Sequence, residues 1–371
     1  MSARKYILES SLLQPADIIL TGDKSGISLS VRVATISRYS HAAIYVGDTT
    51  IEATMAGVFS KNPQRLIFDR ATDVLVLRSK RLLSKAEVEL ICSYAHSKVG
   101  SLYALREAIT IKYKSLLKHN HSNRQFCSRL VAKAYEHANF DLMNLRNPAF
   151  CTPKQLALCK AFEPVKCIIR PASEAEIEFA ESADQSQENL RQLYEWLDKT
   201  RILVTRNKEL ADRWDIQTLD DVTSLLMAHP EYDLQVSKYM QDSGYLEFYT
   251  SEVLQNPFRY KAELLIHQLS QVEDKNQAMY EELKKEVKAF EIYESNQKNF
   301  VKLFKEKNLN FFKLNIQLYN NMLSAMLIRT LVVRDALVHY GSLAAAEELE
   351  SSVRIVESAV NEGHMALKGA N

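Results

Sequence analysis

The chain of 371 residues is too long for one small domain, and its 46% apolar and 25% charged residues are ordinary globular usage that excludes wholesale disorder and a fibrous repeat. A formal net charge of +1 conceals two opposite halves: residues 1–170 carry 25 Lys plus Arg against 13 Asp plus Glu, or +12, and the remainder carries 22 against 33, or −11. Five cysteines, Cys92, Cys127, Cys151, Cys159 and Cys167, form no CxxC pair and all lie in the basic half, which argues against a disulfide framework and against a zinc site.

In chain order, residues 1–17 hold no apolar run long enough for a signal-peptide core. No later segment approaches the roughly 20 apolar residues of a membrane span, so a cytoplasmic protein is expected. Residues 17–20 (DIIL) end at Thr21-Gly22, and residues 27–36 are apolar at helical spacing, predicting a strand followed by a helix. Residues 41–46 and 50–54 flank Gly47-Asp48 and predict a hairpin with Gly at the first central turn position. Residues 74–77 (VLVL) predict a further strand. Ser84-Lys85-Ala86-Glu87 is a capping box opening a helix that Gly100 can close, and Thr152-Pro153-Lys154-Gln155 opens another with Pro at its first position. Residues 165–169 are expected to return as a last strand before Pro171. This half is α+β.

From Pro171 onward no alternating β-rich run occurs, and charged residues interleave with apolar ones at helical spacing. Between Pro257 and Gly341 there are 83 residues without Gly or Pro. One unbroken helix of that length would span on the order of 120 Å, so two or three long antiparallel helices are expected. The apolar stretch 310–340 is interrupted by Lys313, Arg329, Arg334 and Asp335, which suits a bundle core or a dimer seam better than membrane contact. The acidic, Ser-rich residues 172–189 read as a linker. The chain therefore divides into an α+β domain at 1–170, a linker at 171–189 and an all-helical domain at 190–371.

Chemistry concentrates in the basic half. If Gly47-Asp48 is a two-residue turn, Tyr45 pairs with Thr50, Ala43 with Glu52 and His41 with Thr54. His41 and Glu52 are then diagonal neighbours, close enough for the carboxylate to fix one tautomer of the imidazole, the orienting role a general base requires. A three-residue turn would put Glu52 on the wrong face. Residues 125–135 (QFCSRLVAKAY), preceded by the capping candidates Ser122 and Asn123, predict a helix with Cys127 in its first turn. There the positive end of the helix dipole and an adjacent imidazole favour the thiolate. Cys127 also shares a face with Leu130, Val131, Ala134 and Ala138, and free cysteine often serves as a small buried hydrophobe, so spacing alone leaves both readings open.

The order P-A-D-I-I-L, S-H-A-A-I-Y-V-G, I-E-A, F-C-S-x-L-V-x-x-A-Y and T-P-x-x-L resembles the circularly permuted papain-like amidases. These are the permuted branch of the NlpC-type cysteine hydrolases, which includes the lecithin:retinol acyltransferase-like enzymes. The resemblance covers about residues 14–170. It implies a permuted papain-like domain, an antiparallel sheet packed on helices, ahead of the helical bundle. It implies Cys127 as nucleophile, His41 as base, Glu52 as the third polar residue, and Tyr103 beside the substrate. Arg129 stands where relatives more often carry an acidic residue after Cys-Ser, and Ala104 follows Tyr103 where an acidic residue is common.

The resemblance implies acyl transfer through a thioester, cleaving an amide bond in a peptide or aminoacyl conjugate without a cofactor or metal. Two alternatives stand beside it: a lipid acyl hydrolase or acyltransferase, and a catalytically silent papain-like scaffold with a helical interaction domain. An anionic lipid is the second partner class, nucleic acid is not expected, and the long C-terminal helices could form a homo-oligomer. The +12 excess could draw an anionic substrate or simply be matched by the −11 half. His119 and His121 read as a solvated basic loop, His96 and His137 as helix-terminal residues, and Cys151, Cys159 and Cys167 as packing residues.

Overall fold

The computed structural model describes residues 4–22, 38–102, 125–142, 145, 147–182, 184–247 and 249–368. The helix expected at 27–36, Tyr103 with Ala104, His119, His121, Ser122 and Asn123 lie outside the described residues. The chain forms two compact units, one of residues 1–190 with 204–221, the other of residues 191–203 with 222–371.

The first unit holds β1 (Tyr6–Leu8), β2 (Ile18–Thr21), β3 (His41–Tyr45), β4 (Thr50–Thr54), β5 (Gly57–Lys61), β6 (Val74–Ser79), β7 (Phe162–Pro164) and β8 (Ile169–Pro171). Six of these form one antiparallel sheet in the order β5-β4-β3-β2-β6-β7, and β1 pairs with β8. Ile18, Leu20, Ala42, Ile44, Ile51 and Ala53 point into a core shared with Ile91 and Ala95 of α1 (Lys85–Ser97) and Leu130, Val131 and Ala134 of α2 (Cys127–His137). The alternate residues Ile19, Ala43, Tyr45, Val74 and Val76 join a second cluster with Leu8 and Ile168. A sheet covered on both faces explains why DIIL and VLVL read as continuous apolar runs rather than alternating ones. Each fully buried Ile or Leu here stabilises the unit by about 1.5–3 kcal/mol.

The hairpin forms in the predicted register, with Tyr45 opposite Thr50 and Ala43 opposite Glu52. Val46 N–H closes the turn on Thr49 O at 2.9 Å, and Gly47 takes a φ of +121° that a side chain would strain. Both capping boxes also form, Ser84 with Glu87 at α1 and Thr152 with Gln155 at α3 (Pro153–Ala157).

Two expectations are corrected. The strand placed at 165–169 is instead two short strands, β7 and β8, because Cys167 adopts φ +58° and turns the chain between them. Cys151 and Cys159 are buried as packing residues, but Cys167 is exposed on that turn. A further capping box, Ser173 with Glu176, opens α4 (Glu174–Glu181) inside the stretch read as linker. Arg65 holds this helix to the sheet unit, its guanidinium 4.5 Å from the Phe179 ring and donating to Ser182 O at 2.7 Å.

The second unit is helical. The Gly- and Pro-free stretch is cut into residues 262–269, α5 (Lys275–Glu306) and α6 (Asn310–His339), followed by α7 (Leu343–Lys368). Asp274 caps α5 locally, whereas α6 is capped across the fold: Asp233 accepts the N–H groups of Asn310 and Phe311 at 2.7 and 2.8 Å. Arg329, a charge within an apolar helix, is buried in a two-pronged bond to Glu286 at 2.8 and 2.7 Å. Among the described residues no helix is long and apolar enough to cross a membrane.

Gly363 of α7 packs against the buried pair Gln297 and Asn320, whose side chains are bonded at 3.0 Å. A Cβ there would stand 2.3 Å from Asn320 Oδ1 and 2.4 Å from Gln297 Nε2. Gly363→Ala should therefore destabilise the helical unit by about 1–3 kcal/mol, against the roughly 1 kcal/mol that Ala gains over Gly in a helix. Urea denaturation followed by circular dichroism measures the sign, and a stabilised variant would refute the close packing.

Candidate active site

β3 begins at His41, and β4 carries Glu52 opposite Ala43, so the two side chains meet diagonally across the strand pair. His41 Nε2 lies 2.6 Å from Glu52 Oε2, with the carboxylate side chain 9% exposed and the imidazole 21%. This bond occupies one ring nitrogen and fixes the ring plane. The other nitrogen, Nδ1, is then the one that addresses Cys127, to which His41 is also hydrogen-bonded.

α2 opens at Cys127 after an extended Phe126, which supplies no capping side chain. No capping side chain serves the first turn, and the N–H of Ser128 donates instead to the Cys127 sulfur, together with the N–H of Ala42 from β3. The predicted burial of Cys127 beside Leu130, Val131, Ala134 and Ala138 holds, with the residue 6% exposed. Cys127 is thus buried along its helix, with its sulfur bonded to the His41 imidazole.

The electrostatics of the three groups are mutually consistent. Burial by itself would lower the His41 value, but hydrogen bonds to Cys127 and Glu52 and the charges of both push it up to about 10. For Cys127 burial opposes ionisation, and the hydrogen bond to His41, the imidazolium charge and the two backbone N–H groups outweigh it, so the thiol is held below its usual range. Burial likewise opposes ionisation of Glu52, yet the bond and charge of His41, with a smaller contribution from Lys61, hold it below the carboxylate range. The arrangement favours a thiolate–imidazolium pair backed by a carboxylate. Cys151 is the contrast: burial pushes its thiol far upward and leaves it inert.

Arg129, which departs from the resembled pattern, is only 1% exposed. Its Nε donates to Ala149 O at 2.8 Å, and its guanidinium carbon lies 4.4 Å from the Phe126 ring and 5.2 Å from that of Phe150. Ser128 Oγ donates to Cys151 O at 2.8 Å, and Cys151 Sγ donates to Ser128 O at 3.1 Å. These contacts fasten residues 149–151 to the first turn of α2. The sequence shows the residue types but not this docking, because the partners lie about 20 positions away. The influence of Lys61 on Glu52 was equally invisible, since it depends on β5 joining the sheet. Tyr103 lies outside the described residues. Among the described residues no group of three or more His, Cys, Asp or Glu could hold a metal ion.

Residues 13–148 match the family model described as permuted papain-like amidase enzyme, YaeF/YiiX, C92 family. The chain is also similar to the crystal structure of the metalloprotein yiiX from Escherichia coli O157:H7, at 20% identity over 41% of this chain and 96% of that chain, with a TM-score of 0.30. No curated protein sequence matches it significantly.

Iodoacetamide alkylation tests the ion pair. At about pH 6 Cys127 should outpace every other cysteine, because its thiolate persists below the ordinary thiol value of 9. His41→Ala removes the imidazolium that stabilises the thiolate and should move the alkylation midpoint upward. A midpoint indifferent to this substitution would refute the pairing.

Proposed function

We propose that the permuted papain-like amidase domain carried by this chain is a cysteine hydrolase that cleaves an amide bond, in a peptide or aminoacyl conjugate, through a thioester acyl-enzyme. The family match supports an amidase at the level of the fold and reaction class. The observation that carries the finer reading is the contact of His41 with Glu52 on one side, at 2.6 Å, and with Cys127 on the other. A cysteine nucleophile, a base within hydrogen-bond reach and a third group orienting the base are the parts that nucleophilic catalysis requires.

In this mechanism the Cys127 thiolate attacks the substrate carbonyl, forming the C–S bond while the carbonyl oxygen takes the negative charge. The backbone N–H of Cys127, a first-turn amide with no intrahelical acceptor, donates to that oxyanion. His41, held protonated by Glu52, gives its proton to the departing nitrogen as the C–N bond breaks. The neutral imidazole then takes a proton from water, the resulting hydroxide attacks the thioester, and the acid leaves with the thiolate restored.

The pH dependence follows from the directions of the shifts. Activity should rise as Cys127 loses its proton, at a pH below the usual thiol range, and fall when His41 loses its own, a limb displaced upward toward about 10. Glu52→Gln removes the charge that helps hold the imidazolium and should bring the alkaline limb down. It should also cost roughly 10- to 100-fold in rate, below the roughly 10²- to 10⁴-fold of general acid–base catalysis because His41 itself remains. Products released from a mixed cell extract by the wild type and by Cys127→Ser, compared by mass spectrometry, identify the substrate. Amide-derived acids appearing only with wild type support this reading; fatty acids released from lipid would replace it with the lipid hydrolase, and no difference would leave the scaffold.

A further inference from the structure

Residues 204–221 lie past the linker and past the segment that matches the amidase family, yet they belong to the sheet unit. Leu210, Ile216 and Gln217 are buried there. A local network fixes the conformation of this strap: Asp221 Oδ2 accepts the N–H groups of Gln217 and Thr218 and the Thr218 hydroxyl, at 3.0, 2.8 and 3.0 Å. Gln217 Nε2 donates to Asp215 Oδ1 at 2.5 Å, which decides the orientation of the amide and turns its oxygen toward Leu102. Leu102 N–H donates to Gln217 Oε1 at 2.9 Å.

Leu102 O accepts the N–H of Gln125 at 2.9 Å, two residues before Cys127. The preceding residues of the same segment are tied to β5, with Gly100 N–H donating to Val58 O and Val58 N–H to Ser101 O, both at 2.9 Å. The extended stretch that enters α2 therefore hangs on Leu102, and the N–H of Leu102 hangs on a side chain over 100 positions later. A buried amide whose donor and acceptor are both committed is rigid, because breaking either bond leaves a polar group unsatisfied.

We infer that Gln217 is a positioning residue for acylation. Through Leu102 and Gln125 it sets the placement of the Cys127 N–H that receives the oxyanion, and this inference rests on the hydrolase reading above. Attack on a carbonyl needs that donor within a few tenths of an ångström, whereas displacement of iodide by the same sulfur forms no oxyanion and does not.

The test compares two reactions of Cys127 in the full chain. With p-nitrophenyl acetate the C–S bond forms, the ester C–O bond breaks and p-nitrophenolate leaves; with iodoacetamide the C–S bond forms and iodide leaves. Gln217→Met keeps the side-chain length and removes the amide. It should slow acylation about 10-fold, while alkylation and its pH midpoint stay within about twofold of wild type. Asp215→Ala, at an exposed position, leaves the amide but frees its orientation, and should slow acylation about threefold with the same sparing of alkylation. This variant decides the matter if Gln217→Met does not fold. Acylation unchanged, or both reactions falling together, overturns the inference. A wild type that is not acylated above the rate of a free thiol would instead defeat the hydrolase reading, and this inference with it.

Discussion

The contact between His41 and Glu52 is the constraint on which the site depends. It exists because a two-residue turn at Gly47-Asp48 sets the register of β3 against β4, and a slip of one residue would carry Glu52 to the opposite face of the sheet. Burial by itself disfavours the charged imidazole, and the hydrogen bonds and charges of Cys127 and Glu52 together outweigh it and hold the ring protonated. The pairs between it and the turn, Ile44 with Ile51 and Tyr45 with Thr50, therefore set this contact as well as filling the core.

The sulfur comes to this pair from a distant part of the chain. α2 packs its apolar side on the sheet, and its uncapped first turn presents the Ser128 N–H to the Cys127 sulfur, joined by the Ala42 N–H of β3. Arg129 and Ser128 then secure that turn to residues 149–151, so the end of the helix is held from outside as well as by its own hydrogen bonds. A buried arginine between two aromatic rings is a stiff support, since its planar guanidinium combines a directed hydrogen bond with stacking. The departure of Arg129 from the resembled pattern thus has a structural cause.

The helical unit uses polar groups differently. Arg329 with Glu286, and Gln297 with Asn320, place hydrogen-bonded side chains inside an otherwise apolar bundle. Such pairs favour one register of the helices over its neighbours, because a shifted helix would bury them without partners. Gly363, with no space for a Cβ, acts in the same direction.

Much of this was legible in local sequence. The capping boxes at Ser84 and Thr152, the hairpin and its diagonal His41–Glu52 pair, and the first-turn position of Cys127 follow from spacing alone, because turns, caps and pleats are decided by residues within a few positions of one another. The start of α6 was not, since its cap is Asp233, and the turn at Cys167 was not, since a cysteine gives no sign of a positive φ. Only the tertiary structure could bring the imidazole to the thiol, dock Arg129 on residue 149, and place Gln217 beneath Leu102. Those contacts join parts of the chain from 20 to more than 100 residues apart, and which of them meet is settled by how the sheet and helices pack.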